Sequence, residues 1–184
     1  MINDINFEKA QELYKIGFYT EAIKIFNTIL KKDINNIDVL FSLGKIYFAL
    51  NNIQKSVFYL RKCNQIKNKN PIILLNLALS LQSLGKMKEA EKYYRSIIKF
   101  APSTIRAYYG LFTLDINNID DTLLIKLIEL NKNNKLSLGE KSLINYIFSK
   151  IEKNKGNINN EIKLLNTAHV QSYNSNSLSN NQSD

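Results

Sequence analysis

Small residues recur along this chain at a fixed step. Ala22, Ser56 and Ala90 stand 34 residues apart, as do Phe26, Leu60 and Tyr94, then Leu40, Leu74 and Tyr108, and again Leu43, Leu77 and Leu111. Gly17 and Gly85 lie two such steps apart. A period of this size means one supersecondary unit used repeatedly, because a unit so short cannot bury its apolar side alone and gains a continuous core only by stacking on its neighbours. Within each unit the apolar residues recur at helical spacing in two blocks with a short break, as in VLFSLGKIYFAL, then NN, then IQKSVFYLRKC, so each unit reads as a helical hairpin. Gly17 and Gly85 fall in the turn, where a positive φ costs glycine little, and Asn51 and Asn52 take that place in the second unit. Ala22, Ser56 and Ala90 come one turn into the second helix, where a short side chain admits the partner helix closely, and Phe26 and Tyr94 fill the space one turn later.

Composition agrees with an all-α chain. Two prolines and six glycines in 184 residues leave few interruptions, and abundant Leu, Lys, Glu and Ile favour helix. Local start signals support the same boundaries: Asn70 before Pro71 reads as cap and first helical residue, Thr20 as a cap for the second helix, Ser137 with Glu140 as a capping box, and Asp120 with Asp121 as an acidic helix start.

The pattern closely resembles the tetratricopeptide repeat (TPR), carried here by Leu43, Gly44 and Tyr47 in the second unit and by Leu77, Ala78, Gly85, Ala90, Tyr94 and Pro102 in the third. The resemblance implies a TPR-type α-α superhelical solenoid of about five helical hairpins over residues 1–172. Regular repeats are expected at 3–36, 37–70 and 71–104, with degenerate pairs at 105–136 and 137–172. Leu124 falls where a small residue is due and is too bulky for a close contact, so the fourth pair is expected to splay. Gly156 marks a fifth turn, with Ala168 at the small site of its second helix and NKNNKLSLGE as the place of the extra length. The polar residues 173–184 are expected to form an unstructured tail.

The resemblance also implies where a ligand would lie, on a concave face lined by the first helices. The matching positions are Phe7, Gln11 and Tyr14; Phe41, Lys45 and Phe48; Leu75, Asn76, Leu79 and Gln82; and Arg106, Tyr109 and Thr113. Two readings of this aromatic set stand side by side. In one, the rings pack against neighbouring helices or a folded-back C-terminal segment. In the other, they form an open groove for a protein or peptide segment, with Gln11, Asn76 and Gln82 setting register. The carboxylate clamp of some TPR proteins has no counterpart, since its places hold Phe7, Gln11, Ser42, Ile72 and Asn76, without a lysine or arginine. An asparagine ladder is missing too, with Ser42 and Gly110 at the equivalents of Asn76.

Net charge of +9 admits a nucleic-acid or anionic-membrane reading. Roughly one residue in seven is Asn beside heavy Ile and Lys, far from average usage, and an AT-rich genome produces that bias through its codons. Lys86, Lys88, Lys92, Arg95 and Lys99, with Arg61, Lys62, Lys67 and Lys69, read as a basic outer face without interleaved stacking aromatics. Catalysis has little support: no phosphate-binding glycine loop, zinc pattern or HExxH occurs, His169 reads as a surface residue, and the lone Cys63 reads as a core thiol. No cofactor and no metal are expected. The acidic N-terminus and the short apolar window PIILLNLALSL give neither a secretory signal nor a membrane span, which places the chain in the cytoplasm.

These readings converge on a non-catalytic scaffold or adaptor that binds another protein or peptide, with self-association open at an exposed solenoid end. The alternative is an accessory, substrate-recruiting module or fragment of a transferase. Residues 103–172, from AYYGLF through GEKSLINYIFSKIEKNKGNINNEIKLLNTAH, loosely resemble the degenerate repeats before the catalytic domain of bacterial TPR-sulfotransferases, although the phosphosulfate-binding loop of those enzymes is missing here.

Overall fold

The computed structural model describes residues 2–132 and 135–180, with side chains over 5–132 and 135–177. The described residues form ten α-helices and no strand. They are α1 (Ile2–Lys15), α2 (Tyr19–Lys32), α3 (Ile37–Ala49), α4 (Ile53–Ile66), α5 (Pro71–Ser83), α6 (Met87–Phe100), α7 (Ile105–Leu114), α8 (Asp121–Asn131), α9 (Leu138–Asn154) and α10 (Ile158–Asn180), with one 3-10 turn at Ile116–Asn118.

Helix starts keep the sequence period. α3, α5 and α7 begin at Ile37, Pro71 and Ile105, and α2, α4, α6 and α8 at Tyr19, Ile53, Met87 and Asp121, all at steps of 34. The helical period therefore runs one hairpin further than the small residues indicated. In the turns of α1–α2, α5–α6 and α9–α10, Gly17, Gly85 and Gly156 adopt φ of +87°, +77° and +78°, and Asn51 takes +56° in that of α3–α4. A side chain at such a φ is strained, which glycine avoids and asparagine tolerates best.

Asparagine has a further use. Asn36, Asn52 and Asn70 cap α3, α4 and α5, their side-chain oxygens accepting from Val39 N at 3.1 Å, Lys55 N at 3.2 Å and Ile72 N at 2.9 Å. Asp120 caps α8 by accepting from Leu123 N at 2.9 Å, and Ser137 with Glu140 forms the expected capping box on α9. Thr20 does not cap α2: the helix begins one residue earlier, at Tyr19, with Phe18 as its uncapped entry.

The chain divides into two compact units, Met1–Tyr93 and Tyr94–Asp184, with the boundary inside α6. In the first, α1 pairs with α2, α3 with α4, and α2 and α4 pack on α3 and α5 respectively. The expected small and plugging residues Ala22 and Phe26 sit fully buried with Ala10, Ile29, Val39, Leu43 and Ile46. A second cluster joins Leu40, Cys63 and Ile73. Ser56 is buried as well, and its hydroxyl lies 2.9 Å from that of Ser80 on α5.

In the second unit α9 and α10 form a long antiparallel pair. Ser142 donates to the Ala168 carbonyl at 2.7 Å, Asn145 to Gln171 at 2.9 Å, and Gly139 lies near Ser175. This pairing carries α10 to Asn180, so residues 173–180 of the expected tail continue the helix; 181–184 lie outside the described residues. The 17-residue α9 offers a partner surface along its whole length, and tertiary contact stabilises helix in a segment whose composition alone does not. Ala168 is buried but stands mid-helix, and Glu161 takes the place five after the turn glycine that Ala22 and Ala90 hold elsewhere, with its carboxylate 4.0 Å from Lys150. The segment NKNNKLSLGE includes residues 133 and 134, outside the described residues.

Candidate functional site

The first helices of the N-terminal unit stand side by side, α1 against α3 and α3 against α5, which brings together the candidate residues they carry. Gln11 on α1 donates to the Ser42 hydroxyl on α3 at 2.7 Å, and Ser42 donates to the Asp38 carbonyl at 2.7 Å. One helical turn along, the Lys45 ammonium lies 4.9 Å from the centre of the Tyr14 ring and 5.7 Å from that of Phe41. A cation over two aromatic faces is held electrostatically, so α1 and α3 present a locked polar and aromatic strip.

Individual side chains differ in what they offer. Phe7 turns inward, its ring 5.8 Å from that of Phe26, and Leu75 is buried at 8% exposure. Phe48 and Leu79 are the open apolar positions, 40% and 41% exposed. Asn76 bonds its own helix, donating to the Ile72 carbonyl at 2.8 Å, and Gln82 is half-buried.

Arg106, Tyr109 and Thr113 belong to the second unit. Arg106 is exposed, and Thr113 donates to the Gly110 carbonyl at 2.8 Å. Tyr109 packs in an aromatic group with Phe112 and with Tyr146 of α9, at ring separations of 6.2 and 6.1 Å. Sequence spacing treated it as equivalent to Phe41 and Leu75, but α9 supplies it with a packing partner.

Two features escaped the sequence reading. A small recess of about 150 Å³ opens at the starts of α3 and α5, among Ile37, Asp38, Phe41, Lys67, Asn70 and Ile72. On α4 lysines and aromatics do interleave: Lys62 lies 4.7 Å over Phe58, Tyr47 and Tyr59 stack at 5.5 Å and 3°, and Lys55 covers Tyr47 at 4.9 Å. The i, i+4 spacing of Phe58 and Lys62 signalled the first contact; nothing local signalled the Tyr47–Tyr59 stack, which needs α3 and α4 paired. Burial, then the neighbouring Tyr47, push the Tyr59 hydroxyl pKa up.

Residues read as inert are placed accordingly. Cys63 is fully buried, its thiol 3.7 Å from the Ile37 carbonyl, and burial pushes its pKa up to about 12. His169 is exposed on α10. On the outer face Arg61 and Lys86 share the Glu89 carboxylate at 2.6 and 3.4 Å, which neutralises part of the basic run. Among the described residues no helix is long and apolar enough to cross a membrane, and no group of three or more His, Cys, Asp or Glu could hold a metal ion.

Hairpins that start every 34 residues, with small residues at the close contacts and glycine or asparagine in left-handed turns, define a TPR-type helical-repeat fold. Residues 7–97 match the family model described as anaphase-promoting complex, cyclosome, subunit 3. No curated protein matches the sequence. Among solved structures, the chain is similar to MamA (17% identity, 91% of this chain and 96% of that one, TM-score 0.70). It is also similar to YrrB, described as a TPR protein with an unusual peptide-binding site (14% identity, 94% and 90%, TM-score 0.66). The first TPR of Spaghetti (RPAP3), bound to the HSP90 peptide SRMEEVD, matches over 61% of this chain and 89% of its own (20% identity, TM-score 0.58). At these identities the likeness concerns the fold.

Proposed function

We propose that this chain is a non-catalytic scaffold that holds a protein or peptide segment against the first-helix face of its N-terminal unit. What supports this reading is that Phe48 and Leu79, at candidate positions of α3 and α5, stay open, while the Gln11–Ser42 bond and the Lys45–Tyr14–Phe41 contact fix polar and aromatic groups of α1 and α3. A preformed surface loses little ordering entropy on binding, so a few apolar anchors suffice for affinity. Peptide binding by YrrB and by the RPAP3 repeat supports the same use of the fold.

The test is affinity capture from the source organism's lysate with the intact chain and a Phe48→Ala/Leu79→Ala variant, followed by mass spectrometry and titration of the purified partner. Both side chains are partly exposed, so helicity by circular dichroism should be unchanged. A partner bound by the parent and lost by the variant supports the assignment; one bound equally by both sinks it. Tyr109 is left intact because its ring packs on Tyr146.

A further inference from the structure

The second unit contains a cleft that the scaffold reading does not use. Leu124 stands one period after Ala90, and with Ile128 it forms an α8 wall opposite Phe148 and Ile151 of α9 and Leu164 of α10. The cleft is open to solvent and has a volume of about 430 Å³. A leucine where the repeat elsewhere places alanine or serine holds α8 away from a close contact, in keeping with the splay its bulk predicts.

The polar margin is asymmetric. Glu152 is neutralised by Lys155 at 3.1 Å and accepts further hydrogen bonds from Asn157 at 2.8 Å and Asn160 at 3.3 Å. Thr167 is spent on its own helix, donating to the Lys163 carbonyl at 2.9 Å. Lys163 also lines the cleft, and among the described residues its ammonium has no ion pair or hydrogen bond. The lining thus combines apolar walls with one uncompensated positive charge.

We infer that this cleft binds a medium-chain carboxylate, with the unbranched apolar tail between α8 and the α9–α10 pair and the anionic head at Lys163. Size favours a small molecule. At about 430 Å³ the space lies within the roughly 300–1,000 Å³ of ligand clefts. Apolar walls select the tail through burial. The unpaired Lys163 ammonium selects a negative head.

The experiment is calorimetric titration of the full chain with decanoate, decan-1-ol and decyltrimethylammonium, repeated on Ile128→Trp and Lys163→Gln. Ile128 is 41% exposed, so a larger ring there fills the cleft mouth without entering the core, which circular dichroism verifies. Decanoate is expected to bind at one saturable site, with the alcohol about tenfold weaker, the size of one charge-assisted hydrogen bond, and the cation not bound. Ile128→Trp should abolish binding, and Lys163→Gln should bring decanoate to the affinity of the alcohol. Absence of saturable binding by the parent, or unchanged binding by Ile128→Trp, overturns the site. Equal affinity for acid and alcohol, or a Lys163→Gln variant that binds decanoate like the parent, overturns the role given to the charge.

Discussion

The ring of Tyr94 on α6 occupies the volume that a β-carbon on Gly110 of α7 would need, overlapping it at Cε1 and Cζ. Both residues are fully enclosed by the protein. Gly110 is therefore a helical glycine retained for space, since its backbone would otherwise favour alanine. Leu60 stands in the same relation to Gly44, whose added β-carbon would lie 2.7 Å from the leucine Cγ.

Gly110→Ala should destabilise the protein by about 1–2 kcal/mol, because the overlap with ring atoms puts overpacking in the upper part of its range, about 2–3 kcal/mol, against a helix-propensity gain of about 1 kcal/mol. Shortening the opposing side chain in Gly110→Ala/Tyr94→Leu should recover part of the overlap cost, so the two losses add to less than their sum. Urea denaturation of the two single variants and the double variant measures this. A neutral Gly110→Ala would show that the Tyr94 ring moves freely.

The turns make an opposite pair of predictions. Gly85 has φ +77° with nothing within 4 Å of an added β-carbon, so Gly85→Ala should lose about 1 kcal/mol through backbone strain alone. Asn51, at φ +56°, should gain a few tenths of a kcal/mol on replacement by glycine, as left-handed strain is relieved and unfolded-chain entropy offsets part of it. Thermal melts of both variants decide the matter, and a stabilised Gly85→Ala would contradict the turn geometry.

Ser56 fills a position that is alanine one repeat before and after. Its partner Ser80 donates to the Asn76 carbonyl at 2.9 Å and accepts from Ser56, so Ser56→Ala leaves no hydroxyl proton stranded and should cost no more than about 1 kcal/mol. Ser56→Leu should cost about 3 kcal/mol or more, because the site is sealed and lies at the approach of α5. Comparable stabilities for the two variants would show that the helices tolerate separation at this point.

Alkaline pH should weaken the fold through Cys63 and Tyr108. Burial raises the thiol from 9.0 to about 12 and the Tyr108 hydroxyl from 10.0 to about 12; that hydroxyl also donates to the Pro102 carbonyl at 3.0 Å. The unfolded chain therefore releases these protons at lower pH than the folded one. Their contribution is intact below about pH 9 and is lost as pH climbs toward 12. Cys63→Ala should flatten the decline in stability across that window, and the parent thiol should react with a disulfide reagent at pH 8 only after denaturant is added. Rapid labelling of the native protein would contradict the burial of Cys63.

Much of the architecture was legible because TPR-type packing is local. A turn residue, a small residue and a plug at fixed offsets specify a hairpin, and repetition supplies the check, which is why Gly17, Ala22, Phe26 and their equivalents occupy the roles their spacing indicated. Capping was legible for the same reason at Asn70 and Ser137, since a cap bonds amides two or three residues away. Thr20 misled because Tyr19 already belongs to the helix and a hydroxyl inside the first turn cannot serve as its cap.

What the sequence by itself determined is the all-α hairpin repeat, its step and its turns, each set by interactions within a few residues or one period. Tertiary structure decided the rest. It placed Phe7, Leu75 and Tyr109 in packed surroundings while leaving Phe48 and Leu79 open, set Lys45 between two rings from different helices, and carried α10 through a polar segment along the surface of α9. Those outcomes depend on which helix lies opposite a given face, and a residue's neighbours in the chain do not encode that.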